Sequence, residues 1–227
     1  MLKNISHIII ITVIFIFINY TTEAQQVYIE TGFENAYFKN YVNNLGNNSL
    51  DLSYSKAQDF FMEGGFRFKL YEERYTWDLG LGYNKYKINI GYYSGNISIP
   101  ATYDLSYITL KAGANFAIVN ERRLKVQIHA HVSYDWLIAG ARTSKDNTVN
   151  LYKENTFDKN LLRIHRGISV EYVIHDNLST YIKYNVADSF KEKSQDSNIE
   201  ESYSFHTKAF SFGLLFYILR LNNRRRF

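Results

Sequence analysis

The chain reads as all-β: an eight-stranded antiparallel up-and-down transmembrane β-barrel that follows a cleaved signal peptide. Three observations predict it. Eight segments alternate apolar and polar residues with a period of two, the connections between them alternate between tight turns and long polar stretches, and the N-terminus carries an export sequence. A period of two makes a strand with one apolar and one polar face. Tilted strands of about 9–11 residues, apolar outward and polar inward, cross an outer membrane.

The export sequence comes first. Lys3 precedes an apolar run from Ile8 to Ile18 broken only by Thr12, and Thr22-Glu23-Ala24 stands before Gln25. A basic start, an apolar stretch of roughly 7–15 residues and small residues at −3 and −1 predict a signal peptide over 1–24. The run falls short of the about 20 apolar residues that a helical span needs. The chain has no cysteine, so it has no acylation site for a lipid anchor, no disulfide and no thiolate metal site.

Eight strands follow within 25–220. In the first, Val27, Ile29, Thr31 and Phe33 oppose Tyr28, Glu30, Gly32 and Glu34. The second sets Phe60, Met62, Gly64, Phe66, Phe68 and Leu70 against Glu63, Gly65, Arg67 and Lys69. In the third, Tyr75, Trp77, Leu79, Leu81 and Tyr83 oppose Thr76, Asp78, Gly80, Gly82 and Asn84. The fourth has Ile108, Leu110, Ala112, Ala114, Phe116 and Ile118 opposite Tyr107, Thr109, Lys111, Gly113 and Asn115.

The fifth is the longest, with Leu124, Val126, Ile128, Ala130, Val132, Tyr134, Trp136 and Ile138 on one face. Its other face is Lys125, Gln127, His129, His131, Ser133 and Asp135, polar until Leu137. The sixth places Leu162, Ile164, Ile168, Val170, Tyr172 and Ile174 opposite Arg163, His165, Gly167, Ser169 and Glu171, with Arg166 a misfit on the apolar side. The seventh opposes Leu178, Thr180, Ile182, Tyr184 and Val186 to Ser179, Tyr181, Lys183 and Asn185. The eighth opposes Phe210, Phe212, Leu214, Phe216 and Ile218 to Ala209, Ser211, Gly213 and Leu215.

Tight turns are expected at 71–74, 119–122 and 175–177, and long polar loops around 37–58, 87–101, 140–160 and 191–205. Short turns at one end and long loops at the other are the periplasmic and extracellular ends of an outer-membrane barrel. Composition agrees. The chain holds 20 tyrosines and 16 phenylalanines but a single proline, Pro100, and aromatics suit a pleated surface from which proline is expelled. A formal charge of +4 is too small to argue for nucleic acid, and none is expected as a partner.

The order and texture of these segments resemble the PorT-like outer-membrane β-barrel proteins of Bacteroidetes. The residues that carry the resemblance are Leu105-Ser-Tyr-Ile-Thr-Leu-Lys-Ala, Val132-Ser-Tyr-Asp-Trp-Leu-Ile-Ala-Gly-Ala-Arg, Gly167-Ile-Ser-Val-Glu-Tyr with Asp176-Asn-Leu-Ser, and the closing Phe210-Ser-Phe-Gly-Leu-Leu-Phe-Tyr. Thr109 stands where that family's fourth strand usually has proline, and a basic tail over 221–227 extends past the usual terminal aromatic. The resemblance implies an eight-stranded barrel in the cell outer membrane of a Gram-negative bacterium, not one biochemical activity.

The side chains expected inside are Glu30, Glu34, Glu63, Arg67, Lys69, Asp78, Lys111, Lys125, Asp135, Arg163, Glu171 and Lys183. An eight-stranded barrel is just wide enough to be filled by its own side chains, so these charges are expected to pair and block wide conduction. His129, His131 and Asp135 share that face with His165 on the next strand, near Ser133 and Ser169. Histidines two apart can chelate a metal, and a histidine can activate a serine, but a polar lumen requires neither. The expectation is no catalytic, cofactor or metal residue. The protein is read as a non-enzymatic barrel with a structural or loop-mediated binding role. Its expected partners are outer-membrane lipid, the barrel-assembly machinery during insertion, and an extracellular ligand or secretion partner. The alternatives are a narrow pore or secretion accessory, and a membrane-embedded hydrolase or acyltransferase.

Overall fold

The computed structural model describes residues 26–42, 50–51, 57–71, 74–94, 97–145, 147–154, 157, 159–190, 192–193 and 202–218. The expected signal peptide and basic tail lie outside the described residues. Alternating sequence becomes eight long strands: β1 (Gln26–Val42), β2 (Gln58–Tyr71), β3 (Tyr75–Ser94), β4 (Ile97–Asn120), β5 (Leu124–Ser144), β6 (Asn160–His175), β7 (Leu178–Ser189) and β8 (Ser202–Tyr217). Each pairs antiparallel with its neighbour in sequence, and β8 returns to β1 in register from Gln26↔Tyr217 to Lys39↔Ser204. Closure leaves no sheet edge within the barrel, which a bilayer without hydrogen-bonding solvent demands. Short strands at Leu50–Asp51, Asn147–Asn150 and Glu192–Lys193 add to β3, β5 and β8.

The outer wall is apolar. Ile29, Phe33, Leu81, Val132, Ile174 and Phe210 are each at least half exposed, and large hydrophobic residues occupy outward positions on every strand. A water-soluble protein does not keep an apolar patch of this extent open, whereas lipid covers it without cost. The side chains expected inside do face inward, and all but Lys69 are buried.

One of the expected loops is strand, and a second begins as strand. The stretch 87–101, a polar loop on the sequence pattern, is a hairpin in which β3 and β4 stay paired from Tyr75↔Phe116 to Ser94↔Ile97. The reason is an inversion of polarity. Beyond Asn84 the inward residues Tyr86, Ile88, Ile90, Ala101, Tyr103 and Leu105 are apolar and buried, while the outward ones are Lys85, Lys87, Asn89, Thr102 and Asp104. A strand that has left the lipid has water outside and can bury its apolar face within. At about 3.3 Å per residue and a tilt near 40°, this hairpin projects roughly 20 Å beyond an apolar belt about 25 Å tall. Pro100 sits outward on it, one residue beyond the Ala101↔Ser144 pair where β5 pairing begins, so its missing N–H costs no ladder bond to β5. Likewise β1 runs on to Val42, through the start of the loop expected over 37–58.

The segment expected as a loop over 140–160 is partly strand and partly plug. Ile138 bulges between the pairs Tyr107↔Leu137 and Ser106↔Ala139, which shifts the register. The chain then folds back through Asn147–Asn150, and Leu151 donates its N–H to the Gly140 carbonyl at 2.9 Å. Leu151 is thereby buried over the barrel mouth among Leu105, Leu137 and Leu161, within the apolar cluster that Phe157 flanks.

Candidate functional site

The lumen is layered, and the layers follow from which inward positions carry which side chains. Nearest the short turns lie Tyr28, Tyr181 and Leu215, which pack together. Two glycines make the room. A Cβ on Gly80 would stand 2.1 Å from the Tyr28 hydroxyl, and one on Gly213 would stand 2.2 Å from Cζ of Tyr181. Large rings cross a narrow barrel only where the facing wall has no side chain.

Beside them the charges pair across strands. Arg67 Nε donates to Asp78 Oδ1 at 2.7 Å and its terminal NH2 nitrogen to Asp78 Oδ2 at 3.0 Å, while its NH1 reaches Glu171 Oε2 at 3.3 Å. Glu30 accepts from Tyr181 at 2.8 Å, Ser211 at 2.8 Å and Lys183 at 2.5 Å. Glu63 accepts from Tyr28 at 2.5 Å and is bridged by Lys111. Removal of such charges from water is recovered only when each is paired and hydrogen-bonded, as here.

Higher up, Arg163 Nε lies 2.6 Å from Asp135 Oδ2, and the guanidinium stacks over the rings of Tyr86 at 5.3 Å and Phe205 at 5.8 Å. This residue joins the charged layer to the apolar one above, because its charge meets a carboxylate on one side and ring faces on the other. The apolar layer comprises Phe38, Ile88, Leu105, Leu137, Leu151, Phe205 and their neighbours. A cavity of about 20 Å³ lined by Glu34, Glu63, Lys111, Arg163 and His165 lies in the charged layer. It has room for a single water molecule and for no larger solute.

The candidate histidines and serines lie within this packing. His129 and His131 stack with ring centroids 5.1 Å apart, and His131 pairs in register with His165. His165 Nε2 lies 2.7 Å from Ser133 Oγ, and its Nδ1 accepts from Asn185 Nδ2 at 3.0 Å. With Nδ1 accepting, Nε2 carries the proton and donates to Ser133, the reverse of what a general base toward that serine requires. Ser133 and His165 are buried, and Asp135 turns to Arg163 instead of orienting the ring. Ser169 faces the lumen and pairs in register with Gln127 and Lys183. Among the described residues no three His, Cys, Asp or Glu side chains converge to hold a metal.

Sequence reasoning missed the apolar layer. The signal was the parity of Ile88, Ile90, Tyr103 and Leu105, which share the inward phase of Asp78 and Lys111, together with Leu137 at the end of the polar face of the fifth segment.

No family model matches the chain, and no curated protein matches it by sequence. Solved structures do. The neisserial surface protein A is similar with a TM-score of 0.51 at 10% identity, covering 85% of this chain and 96% of that one. The outer membrane protease OmpT from Escherichia coli is similar with a TM-score of 0.51 at 9% identity, covering 87% and 98%. A major outer membrane protein from Thermus thermophilus has a TM-score of 0.50 at 14% identity, covering 86% and 100%. The chain has the fold of a bacterial outer-membrane β-barrel.

Proposed function

We propose that this protein is a closed, non-enzymatic barrel of the Gram-negative outer membrane, whose lumen bears load and whose extracellular end presents a binding surface. The observation that carries the reading is the lumen. Its charged layer is paired within itself apart from Glu34, which lines the small cavity, and its mouth is stoppered by apolar side chains, so the interior packs as a core. That core supports the projecting β3–β4 hairpin, which puts Lys85, Lys87 and Asp104 on a firm scaffold in water. Binding chemistry on loops held by a rigid frame is the common arrangement. The resemblance to PorT-like barrels of Bacteroidetes, carried by the strand texture quoted above, belongs to this proposal and fits the same architecture.

The test is planar-bilayer recording of the purified protein together with turnover of peptide and phospholipid substrates. The expected result is no discrete conductance steps and no turnover. Steady unitary steps would favour the narrow pore or secretion accessory, and turnover abolished by Ser133→Ala would favour the hydrolase.

A further inference from the structure

Arg166 is the residue that breaks the apolar face of the sixth segment, and the structure shows what surrounds it. It points outward from β6 between Ile164 and Ile168, with its side chain 61% exposed, and its NH2 nitrogen meets Asp188 Oδ2 on β7 at 2.9 Å. Asp188 in turn accepts from His206 Nδ1 on β8, and His206 packs on the ring of Tyr37 on β1, centroids 4.6 Å apart. In the adjacent row, Arg166, Val186, Lys208 and Asn35 stand side by side across four strands. Lys208 is exposed and makes no ion pair among the described residues.

We infer that Arg166 and Lys208 form a binding site on the outer wall for a phosphate group of a glycolipid in the outer leaflet. Height supports it. Each residue stands nine positions from the short-turn end of its strand, at His175 and Tyr217. With a rise of about 3.3 Å and a tilt near 40°, that is roughly 23 Å up, at the upper edge of an apolar belt about 25 Å tall, where headgroups begin. The outward aromatic residues Tyr83 on β3 and Tyr134 on β5 stand eight and ten positions from the short-turn ends of their strands, at a similar level.

Spacing supports it too. The two cations flank Val186 at two inter-strand steps, about 10 Å between backbones, so their long side chains can close on one phosphate over a small apolar floor. Asp188 holds the guanidinium in place from one side and leaves its other donors free. A planar guanidinium and a flexible ammonium together suit a phosphate, and a cation at the lipid boundary gains most from a lipid-borne anion.

The test measures binding of diphosphorylated lipid A, its dephosphorylated form and inorganic phosphate to the detergent-purified full barrel by native mass spectrometry. Wild-type protein should retain the diphosphorylated lipid, lose it about tenfold more readily as Arg166→Gln and about fivefold as Lys208→Gln. Lys145→Gln, the same charge change in an exposed turn, should bind as wild type. Lys208 makes no ion pair among the described residues, so Lys208→Gln reports even where Arg166→Gln fails to fold. Equal binding by Lys208→Gln and wild type, equal binding of the dephosphorylated lipid, equal loss in Lys145→Gln, or displacement of the lipid by inorganic phosphate would each overturn the site.

Discussion

Arg67 and Asp78 face each other in register on β2 and β3 and meet through two parallel contacts, 2.7 and 3.0 Å, inside the barrel. The pair is bidentate and buried, and Arg67 also reaches Glu171 at 3.3 Å, so loss of Arg67 takes the cation from two buried carboxylates.

Arg67→Met should therefore destabilise the barrel by about 3–5 kcal/mol, and Arg67→Met with Asp78→Leu should recover part of that loss, with Glu171 left to its hydrogen bonds from Gln127 and Tyr217. Reversible urea unfolding from lipid vesicles reads both values. A single variant as stable as wild type would mean that the lumen is wet and the pair solvated.

Glycine spacing gives a second expectation. Gly213→Ala puts a methyl 2.2 Å from the Tyr181 ring and should cost about 1–3 kcal/mol. In a double-mutant cycle with Tyr181→Ala the two changes should couple by more than about 0.5 kcal/mol, because the second removes the clash created by the first. Additive values would place Tyr181 elsewhere.

His129 and His131 stack and make no convergent metal set with the described residues around them. Replacing both with alanine should leave the metal content of the purified protein at background, measured by plasma emission. Stoichiometric zinc in wild type that disappears in the double variant would contradict this.

Export predicts one covalent change. Intact-mass analysis of membrane-extracted protein should find the first 24 residues absent and Gln25 at the N-terminus, as the Thr22-Glu23-Ala24 ending implies. Retention of Met1 would contradict it.

The wall of this barrel was legible in the sequence because lipid imposes one rule on every strand: Val132 out, His131 in, and so through all eight. Above the lipid that rule reverses. Ile88 and Ile90 face inward there, and a reading tuned to apolar residues outside takes a paired hairpin for a loop. The contact of Leu151 with the barrel mouth depends on a backbone that folds back after the Ile138 bulge, and periodicity carries no information about such a return. The luminal set was legible from parity, but its pairing was not. Arg163 joins Asp135 diagonally across the β5–β6 pair, and Glu30 joins Lys183 across the β1–β8–β7 wall, a neighbourhood that only closure defines. Arg166 was visible as an exception and became intelligible only with Asp188 and Lys208 beside it.

The division of β5 into a lipid face and a luminal face underlies all of these expectations. Val132 is half exposed on the outer wall and the adjacent His131 is buried inside. The most direct measurement is the unfolding free energy, from lipid vesicles, of Val132→Arg against His131→Arg, with His131→Lys as a smaller luminal cation. An arginine at mid-strand in lipid should cost roughly 2–4 kcal/mol, while the luminal substitutions can reach Asp78 or Asp135 and should cost less. Equal tolerance of the two faces, or a protein that stays dissolved without any amphiphile, would contradict the membrane-spanning barrel.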